Sequence, residues 1–519
     1  MAKTDLHIET LGTSFSIAAD EDAAYLKKLL DDYLAAVEKT KKTIGLKDPL
    51  KIAILTGFLL SDELHKLKNA EQKIRAKESR EAQELTLDLI ARIDEALDQC
   101  PADKQPPTGR LFRLKNTVKH YGWGSPARIP SLLGKENPEG LPWAELWMGV
   151  HGEGPSEVFR QGAPLPLSTL IKENPEQYLG KETAEKFGAL PFLFKLLAAE
   201  KPLSIQAHPN KKQAGEGWEK ENALGIPADA PERNYRDKNP KNEIIAAIDP
   251  FTALCGFREP EEIIELLEKF GAPGTAPGGA PLKEQFAALV ETLWNDSPAE
   301  GLQAFLRCLF ELSPEIHHAL GDYALENREA LTEKYGDLGP EWDLIASLAA
   351  SYPGDPAIIA PLYLNLVHLE PGEAIYLDTG VPHAYVRGFG AELMTNSDNV
   401  LRGGLTNKHI DLKELFSVLN FSPFKPSILK SPLPDPACFT YPLNCGEFSL
   451  SFVCGRGEET RLSGEGPLIL VLVSGEAEIS AGEENIHLTP GESVFVAAGD
   501  DISLRGNYTI YAAGTAPQP

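Results

Sequence analysis

Apolar positions change their spacing twice in the first hundred residues. Leu6-His7-Ile8-Glu9 and Phe15-Ser16-Ile17-Ala18 alternate apolar and polar residues on either side of Gly12, the period-two signature of a hairpin. Tyr25, Leu26, Leu29, Leu30, Tyr33, Leu34 and Val37 then recur at three and four, which predicts a helix with Asp20 as N-cap and Gly45 near its stop. Asp48-Pro49 restarts a helix, with Pro in its first turn. From Leu50 to about Leu97 a stripe runs through Ile52, Leu55, Leu59, Leu64, Leu67, Leu85, Leu89, Ile93 and Leu97, interrupted by no proline and one glycine, Gly57. A helix that long cannot bury its stripe against itself, so it predicts association with another copy or partner.

Residues 101–110 form a Pro-rich joint. Beyond it, residues 111–257 alternate short apolar runs with Gly/Pro turns, broken by helical patches such as Pro166 to Phe187, and read as an antiparallel β-sandwich. Helical spacing returns at Ile263, Ile264, Leu266 and Leu267, and again at Phe286, Leu289, Val290, Leu293 and Trp294. β signals resume over Leu362 to Leu415, where Gly372-x5-Asp378-x-Gly380-x2-His383 follows the cupin template G-x5-P-x-G-x2-H with Asp for Pro. Gly491-x5-Ala497-x-Gly499-x2-Ile502 repeats the template with Ile at the histidine position. The expected fold is therefore mainly β. It comprises an α-rich module (1–100), a linker (101–110), a cupin or jelly-roll catalytic core (111–258 and 353–425), a helical insert (259–352), and a second, metal-free jelly roll (426–519).

Composition narrows the function classes. The chain has 519 residues, 42% hydrophobic and 24% charged, with net charge -26. That charge disfavours nucleic acid and anionic membranes, and it obliges any anionic substrate to find a local cationic pocket. No apolar run approaches the ~20 residues of a membrane span, and the start Met-Ala-Lys-Thr-Asp-Leu-His lacks a signal-peptide core; a cytoplasmic protein is expected. Six cysteines without a CxxC pair predict free buried thiols.

The candidate chemistry starts at Leu203-Ser204-Ile205-Gln206-Ala207-His208. In a strand, Ser204, Gln206 and His208 share a face. Glu243, opening Glu243-Ile244-Ile245-Ala246-Ala247-Ile248, and His383 are candidate partners, and one Gln, one Glu and two His make an N/O site suited to zinc. A Q-x-H pair alone is more often ordinary. However, LSIQAHPNKK, YRDKNPKNEIIAAIDPFTALCGF and GVPHAYV followed by ELMTNSDNVLRGGLTNK resemble the signature segments of the zinc-dependent (type I) mannose-6-phosphate isomerase family, collinearly from about residue 111 to the C-terminus.

That resemblance implies reversible conversion of mannose 6-phosphate and fructose 6-phosphate through a cis-enediol, with one zinc per chain on Gln206, His208, Glu243 and His383. It implies a catalytic role for Arg402, whose guanidinium stabilises developing oxyanions. Lys241 and Glu392 match other active-site positions, and the choice of base between them stays open. Ser204, Lys195 and Lys408 match positions near the substrate and its phosphate; Trp123, Tyr385 and Asp398 match pocket walls. One departure stands out: the family commonly has His-Lys-Pro-Glu where this chain has Pro240-Lys241-Asn242-Glu243.

The first hundred residues, with their stretch DPLKIAILTGFLLSDELHKL, resemble the cell-division protein ZapA. This second resemblance implies a homo-oligomer formed through the N-terminal helix and FtsZ as a partner. Two other readings remain at this stage: a cell-division scaffold with a non-catalytic isomerase-like part, and an Fe(II) cupin enzyme, since such ligands alone do not exclude iron.

Overall fold

The computed structural model describes residues 4–10, 13–19, 23–44, 52, 56, 109–160, 162–271, 279–432 and 437–516. The chain divides into two compact units, Met1–Pro106 and Pro107–Pro519. In the first, β1 (Thr4–Thr10) and β2 (Thr13–Ala19) pair antiparallel with Leu6 opposite Ile17 and Ile8 opposite Phe15, as the alternation requires. The helix α1 (Ala23–Ile44) follows and buries Val37 and Thr40. Of the long helix expected after Pro49, only Ile52 and Thr56 are described, both helical and buried; the rest of it, and residues 101–108 of the joint, lie outside the described residues.

The second unit begins with β3 (Leu111–Arg113), β4 (Thr117–Lys119), β5 (Glu145–Gly149), β6 (Glu157–Arg160) and β7 (Ala163–Pro166). It continues with β8 (Phe192–Ala199), β9 (Gln206–Ala207), β10 (Glu243–Ala247) and β11 (Phe251–Phe257). After a helical stretch come β12 (Leu364–Leu369), β13 (Ala374–Leu377), β14 (His383–Thr395) and β15 (Leu401–Arg402). Ten of these strands form one sheet system among the described residues.

β14 is its hub. The first half, from His383, pairs with β11, and the second half pairs with β8 on one edge and β10 on the other. Gly388 marks the changeover at φ +143°, where a Cβ would come within 2.5 Å of the Phe251 ring, so only glycine fits.

Register decides which side chains share each face. Leu146, Met148, Phe194, Leu196, Ile244, Ala246, Ala391 and Leu393 point into a core shared with Ile469, Val471, Phe495 and Tyr511 of a second sheet. Each large side chain buried there contributes about 1.5–3 kcal/mol. The alternating residues Glu145, Trp147, Lys195, Glu243 and Glu392 face the other way, into the interior of the first sheet system.

Between β11 and β12 the chain is helical, over Pro260–Gly271, Gly279–Leu293, Pro298–Glu311, Pro314–Lys334 and Gly339–Ser351. These helices close on Phe270, Phe305, Tyr323 and Trp342. Lys211–Ala223 is also a helix, begun by a capping box in which Asn210 and Gln213 bond each other's backbone N–H.

The second sheet runs from Cys438–Thr440 to Ile502–Gly514. β3, at the start of the expected catalytic segment, pairs into this sheet: Leu111 lies opposite Val496 and Arg113 opposite Val494. The second sheet's inner face is apolar, with Leu470, Leu472, Ile479, Val494, Val496, Ile502, Leu504 and Ile510 buried together. Two phenols tie the sheets, Tyr511 donating to the Ala247 carbonyl and Tyr441 to that of Gly372, both at 2.8 Å. The five described cysteines are free; Cys255 is buried, but Cys438 is exposed, against expectation. Among the described residues no helix is long and apolar enough to cross a membrane.

Candidate metal centre and substrate pocket

His208 follows β9, Glu243 opens β10 and His383 opens β14, so three strand ends deliver one donor each. Their ligand atoms lie within 4.8 Å of one another, and all three side chains are buried. Glu243 Oε2 stands 3.4 Å from His208 Nε2 and 3.2 Å from His383 Nε2. The outer ring nitrogens are committed, His208 Nδ1 donating to the Asn399 carbonyl at 2.8 Å and His383 Nδ1 to that of Val381 at 3.0 Å. A carbonyl only accepts, so each ring carries its hydrogen on Nδ1 and turns the Nε2 lone pair inward.

Burial first, then the charge of Lys241, depresses His208 to about 4, keeping the ring in its ligating form. Burial works against ionised Glu243, but Lys241, whose Nζ is 2.6 Å from Oε1, and His208 hold the carboxyl well below its usual range. Glu243 Oε2 and His383 Nε2 are nonetheless buried without a hydrogen-bond partner among the described residues. Leaving such atoms unsatisfied costs about 1–3 kcal/mol each. A divalent cation satisfies both, and the neutral-imidazole and carboxylate set suits zinc.

Gln206, the fourth expected ligand, is half-buried and directly opposite both His383 and Arg402 in register, which sets it on their face. Gly380, from the cupin-like turn, bonds the His208 carbonyl through its N–H at 2.8 Å and so couples two ligand-bearing segments.

Beside the cluster runs a buried line of charge. Lys195 Nζ donates to Glu392 Oε2 at 2.8 Å and lies 3.6 Å from Glu145 Oε1, while the Trp147 indole donates to Glu145 Oε2 at 2.7 Å. Burial would discharge Lys195, but Glu145 and Glu392 raise its proton affinity. Glu392 is pushed the other way from Glu243: burial outweighs Lys195 and lifts its carboxyl above the ordinary range. Tyr385 is buried next to it, its phenol raised well above the usual value by burial and then by Glu392. Glu145 was not among the residues singled out from sequence, although it opens the apolar run Glu145-Leu146-Trp147-Met148 much as Glu243 opens its own.

The rim is cationic. Arg402 is half-buried and pairs with no carboxylate among the described residues; burial and then Arg236 lower its proton affinity. Lys408 is exposed, and burial of its ammonium end, Arg402 and Arg236 lower its own. Arg236, also unmarked from sequence, has its nearest carboxylate, Glu153, at 4.0 Å.

Asn399 knots this rim to the metal cluster. Its side-chain oxygen accepts from the Arg236 and Asp237 N–H groups, its amide donates to the Asp237 and Asn239 carbonyls, and its own carbonyl receives His208. Asp398 sits 3.2 Å from His151. Trp123 stacks on Tyr121 at 5.7 Å, and Ser204 is half-buried between Leu203 and Ile205, whose N–H groups bond the Tyr385 and Gly404 carbonyls. His151, Arg236 and Asn399 carry no local signal for the site, because the partners that tie them to it, Asp398, Asn399 and His208 respectively, are far away in sequence.

Comparison with known proteins agrees with this geometry. Residues 111–260 match the family described as phosphomannose isomerase type I, catalytic domain, and residues 6–97 match cell division protein ZapA. Mannose-6-phosphate isomerase of Escherichia coli (strain K12) is 38% identical over 406 residues, 76% of this chain and 97% of that protein. A crystal structure of zinc-bound mannose 6-phosphate isomerase superposes with TM-score 0.70 at 37% identity, covering 79% of this chain and 100% of the other. The Salmonella typhimurium enzyme bound to fructose 6-phosphate and zinc gives TM-score 0.70 at 36% identity, with the same coverage. On residues that fit a zinc ion and on likeness across nearly the whole length of its relatives, the chain belongs to the mannose-6-phosphate isomerase family, behind an N-terminal segment that matches ZapA.

Proposed function

We propose that the second unit interconverts mannose 6-phosphate and fructose 6-phosphate, moving a proton between C2 and C1 through a cis-enediol. The observation that carries this reading is the buried His208, Glu243 and His383 cluster, with two donor atoms left unsatisfied beneath a cationic rim. With Gln206 these residues hold zinc, which supplies a Lewis acid for the sugar's C1 and C2 oxygens. Arg402 faces charge that develops on oxygen and, as a guanidinium, stays protonated while doing so. Lys408, Lys195 and Ser204 serve the phosphate and hydroxyls, and Trp123, Tyr385 and Asp398 wall the pocket. Lys241 and Glu392 move the proton; burial lifts the Glu392 carboxyl above its ordinary range, which favours its taking up a proton.

In this reading the inner sheet system is a cupin jelly roll with a helical insert, and the C-terminal sheet is a second jelly roll without metal. Residues 1–100 form a homo-oligomer through their helix and associate with FtsZ, and free cysteines suit a cytoplasmic setting.

A coupled assay with mannose 6-phosphate, alongside zinc analysis of the purified chain, tests the chemistry. One zinc per chain and activity abolished by chelator are expected; chelator-insensitive turnover would remove the metal from the mechanism. Co-sedimentation of the full chain with FtsZ filaments, compared with a chain starting at residue 107, tests the N-terminal reading.

A further inference from the structure

His151 lies in the turn after β5, outside the metal cluster and outside every role assigned so far. It is buried, its ring packed edge-on against Trp147 at 4.9 Å. The Glu153 N–H points at Nδ1 from 3.3 Å, so that nitrogen accepts and the ring hydrogen is carried on Nε2. Nε2 is 3.2 Å from Asp398 Oδ2. Asp398 is held from behind by its own N–H, which donates to Asp237 Oδ2 at 2.9 Å, yet 38% of its side chain remains exposed. Its Oδ1 accepts no hydrogen bond among the described residues. The carboxylate is thus clamped at one oxygen and open at the other, next to the cationic rim.

We propose that His151 is a positioning residue for the isomerase reaction: it fixes Asp398 Oδ2 so that Oδ1 is presented to a hydroxyl of the sugar. This rests on the isomerase reading above. His151 is buried while Asp398 keeps 38% of its side chain exposed, so the contact holds Oδ2 on the protein side and leaves Oδ1 open toward the cationic rim, where a sugar hydroxyl can donate to it. The groups facing Asp398 are His151 from the turn after β5, Lys241 and Arg236 from the segment before β10, and Tyr121 from the segment after β4. Burial works to raise its carboxyl, while contact with His151, then Lys241 and Arg236, bring it below the ordinary range. The ionised carboxylate therefore persists to lower pH with His151 present. Without it, protonation moves up in pH.

The test compares H151F, H151Q, D398N and the double variant H151F/D398N in the zinc-loaded full chain. Loss of this polar contact to a charged group predicts that H151F lowers kcat/KM by about 10- to 100-fold. Its zinc content should be unchanged and the acidic limb of its pH profile displaced upward. H151Q, which places an amide donor near the Nε2 position, should recover most of the loss. H151F should add little in the D398N background, because the partner is already gone. Parental kcat/KM in H151F, equal losses in both backgrounds, loss of zinc, or an H151Q as impaired as H151F would each overturn the assignment. If H151F fails to fold, H151Q and D398N carry the test: the acidic limb should stay near the parental position in H151Q and lose the Asp398 contribution in D398N, and an acidic limb unchanged in D398N would overturn the assignment. An inactive parent chain would instead overturn the isomerase reading itself.

Discussion

The two β interiors of the second unit repeat one turn template and fill it in opposite ways. In the first, the template ends at His383 and the wall behind it carries Glu145, Lys195, Lys241, Glu243 and Glu392, all buried. In the second it ends at Ile502, surrounded by Leu470, Leu472, Val494, Val496, Leu504 and Ile510. A backbone turn is therefore not a metal site. The first interior tolerates buried charge because each group has an assigned counterpart: Lys195 between Glu145 and Glu392, Lys241 against Glu243. The second needs none, and its apolar burial stabilises the sheet against which the first one packs.

Three substitutions press on this contrast. The largest effect is expected from Arg402→Ala, which removes a preorganised cation from the rim. Turnover should fall by about 10²–10³-fold, by analogy with removing one oxyanion-stabilising donor, while bound zinc, measured by metal analysis, stays at the parental level. Loss of zinc would mean that Arg402 supports the cluster instead. Next comes Lys195→Met, which leaves Glu145 and Glu392 facing each other without their cation. Breaking a buried pair in this way destabilises by about 3–5 kcal/mol, to be read from denaturant unfolding of the second unit.

Ile502→His is the smallest of the three, and it asks whether the second interior can be turned into the first. The new ring would enter an apolar cluster that holds no His, Cys, Asp or Glu, so zinc stoichiometry should stay at the parental value. A buried imidazole without a partner costs about 1–3 kcal/mol, seen as a lower melting temperature with unchanged kcat in the folded enzyme. A second zinc per chain would mean that the turn alone specifies metal.

Much of this was legible in the one-dimensional pattern, and the reasons differ by region. Gln206 and His208 stand two apart in sequence at the end of one short strand, and His383 follows a glycine-timed turn, so the meeting of His208 with His383 and Glu243 was foreshadowed by local pattern. The helices between β11 and β12 announce themselves by spacing, and the hairpin at the N-terminus by its alternation. What stayed hidden depends on cross-strand register. Trp147 opposite Lys195, and Lys195 opposite Glu392, are facts about which strands pair. No window of sequence contains them.

The same holds for His151 with Asp398, and for Asn399 threading the Asp237 loop to His208. Which sheet Leu111–Arg113 completes was hidden for a related reason, since a three-residue strand carries too little pattern to show its partner. The helix over Lys211–Ala223 is a different case. Its Asn210-x-x-Gln213 capping box was readable, but the helix is polar and buries only Ala214, Gly217 and Glu221, so no apolar stripe follows the cap.

β14 also limits how this chain can change over generations. The same backbone offers Glu392 to the reacting side and Leu393 to the packing between sheets, with both of its edges occupied by β8 and β10. Replacing one amino acid edits a single surface. Inserting or deleting one would exchange the two surfaces along everything downstream, turning acid groups into the greasy seam and leucines toward the sugar. Lineages carrying this strand should vary in its letters but hold its length constant, and length variation should instead collect in the loops that join the helices of the Pro260–Ser351 region.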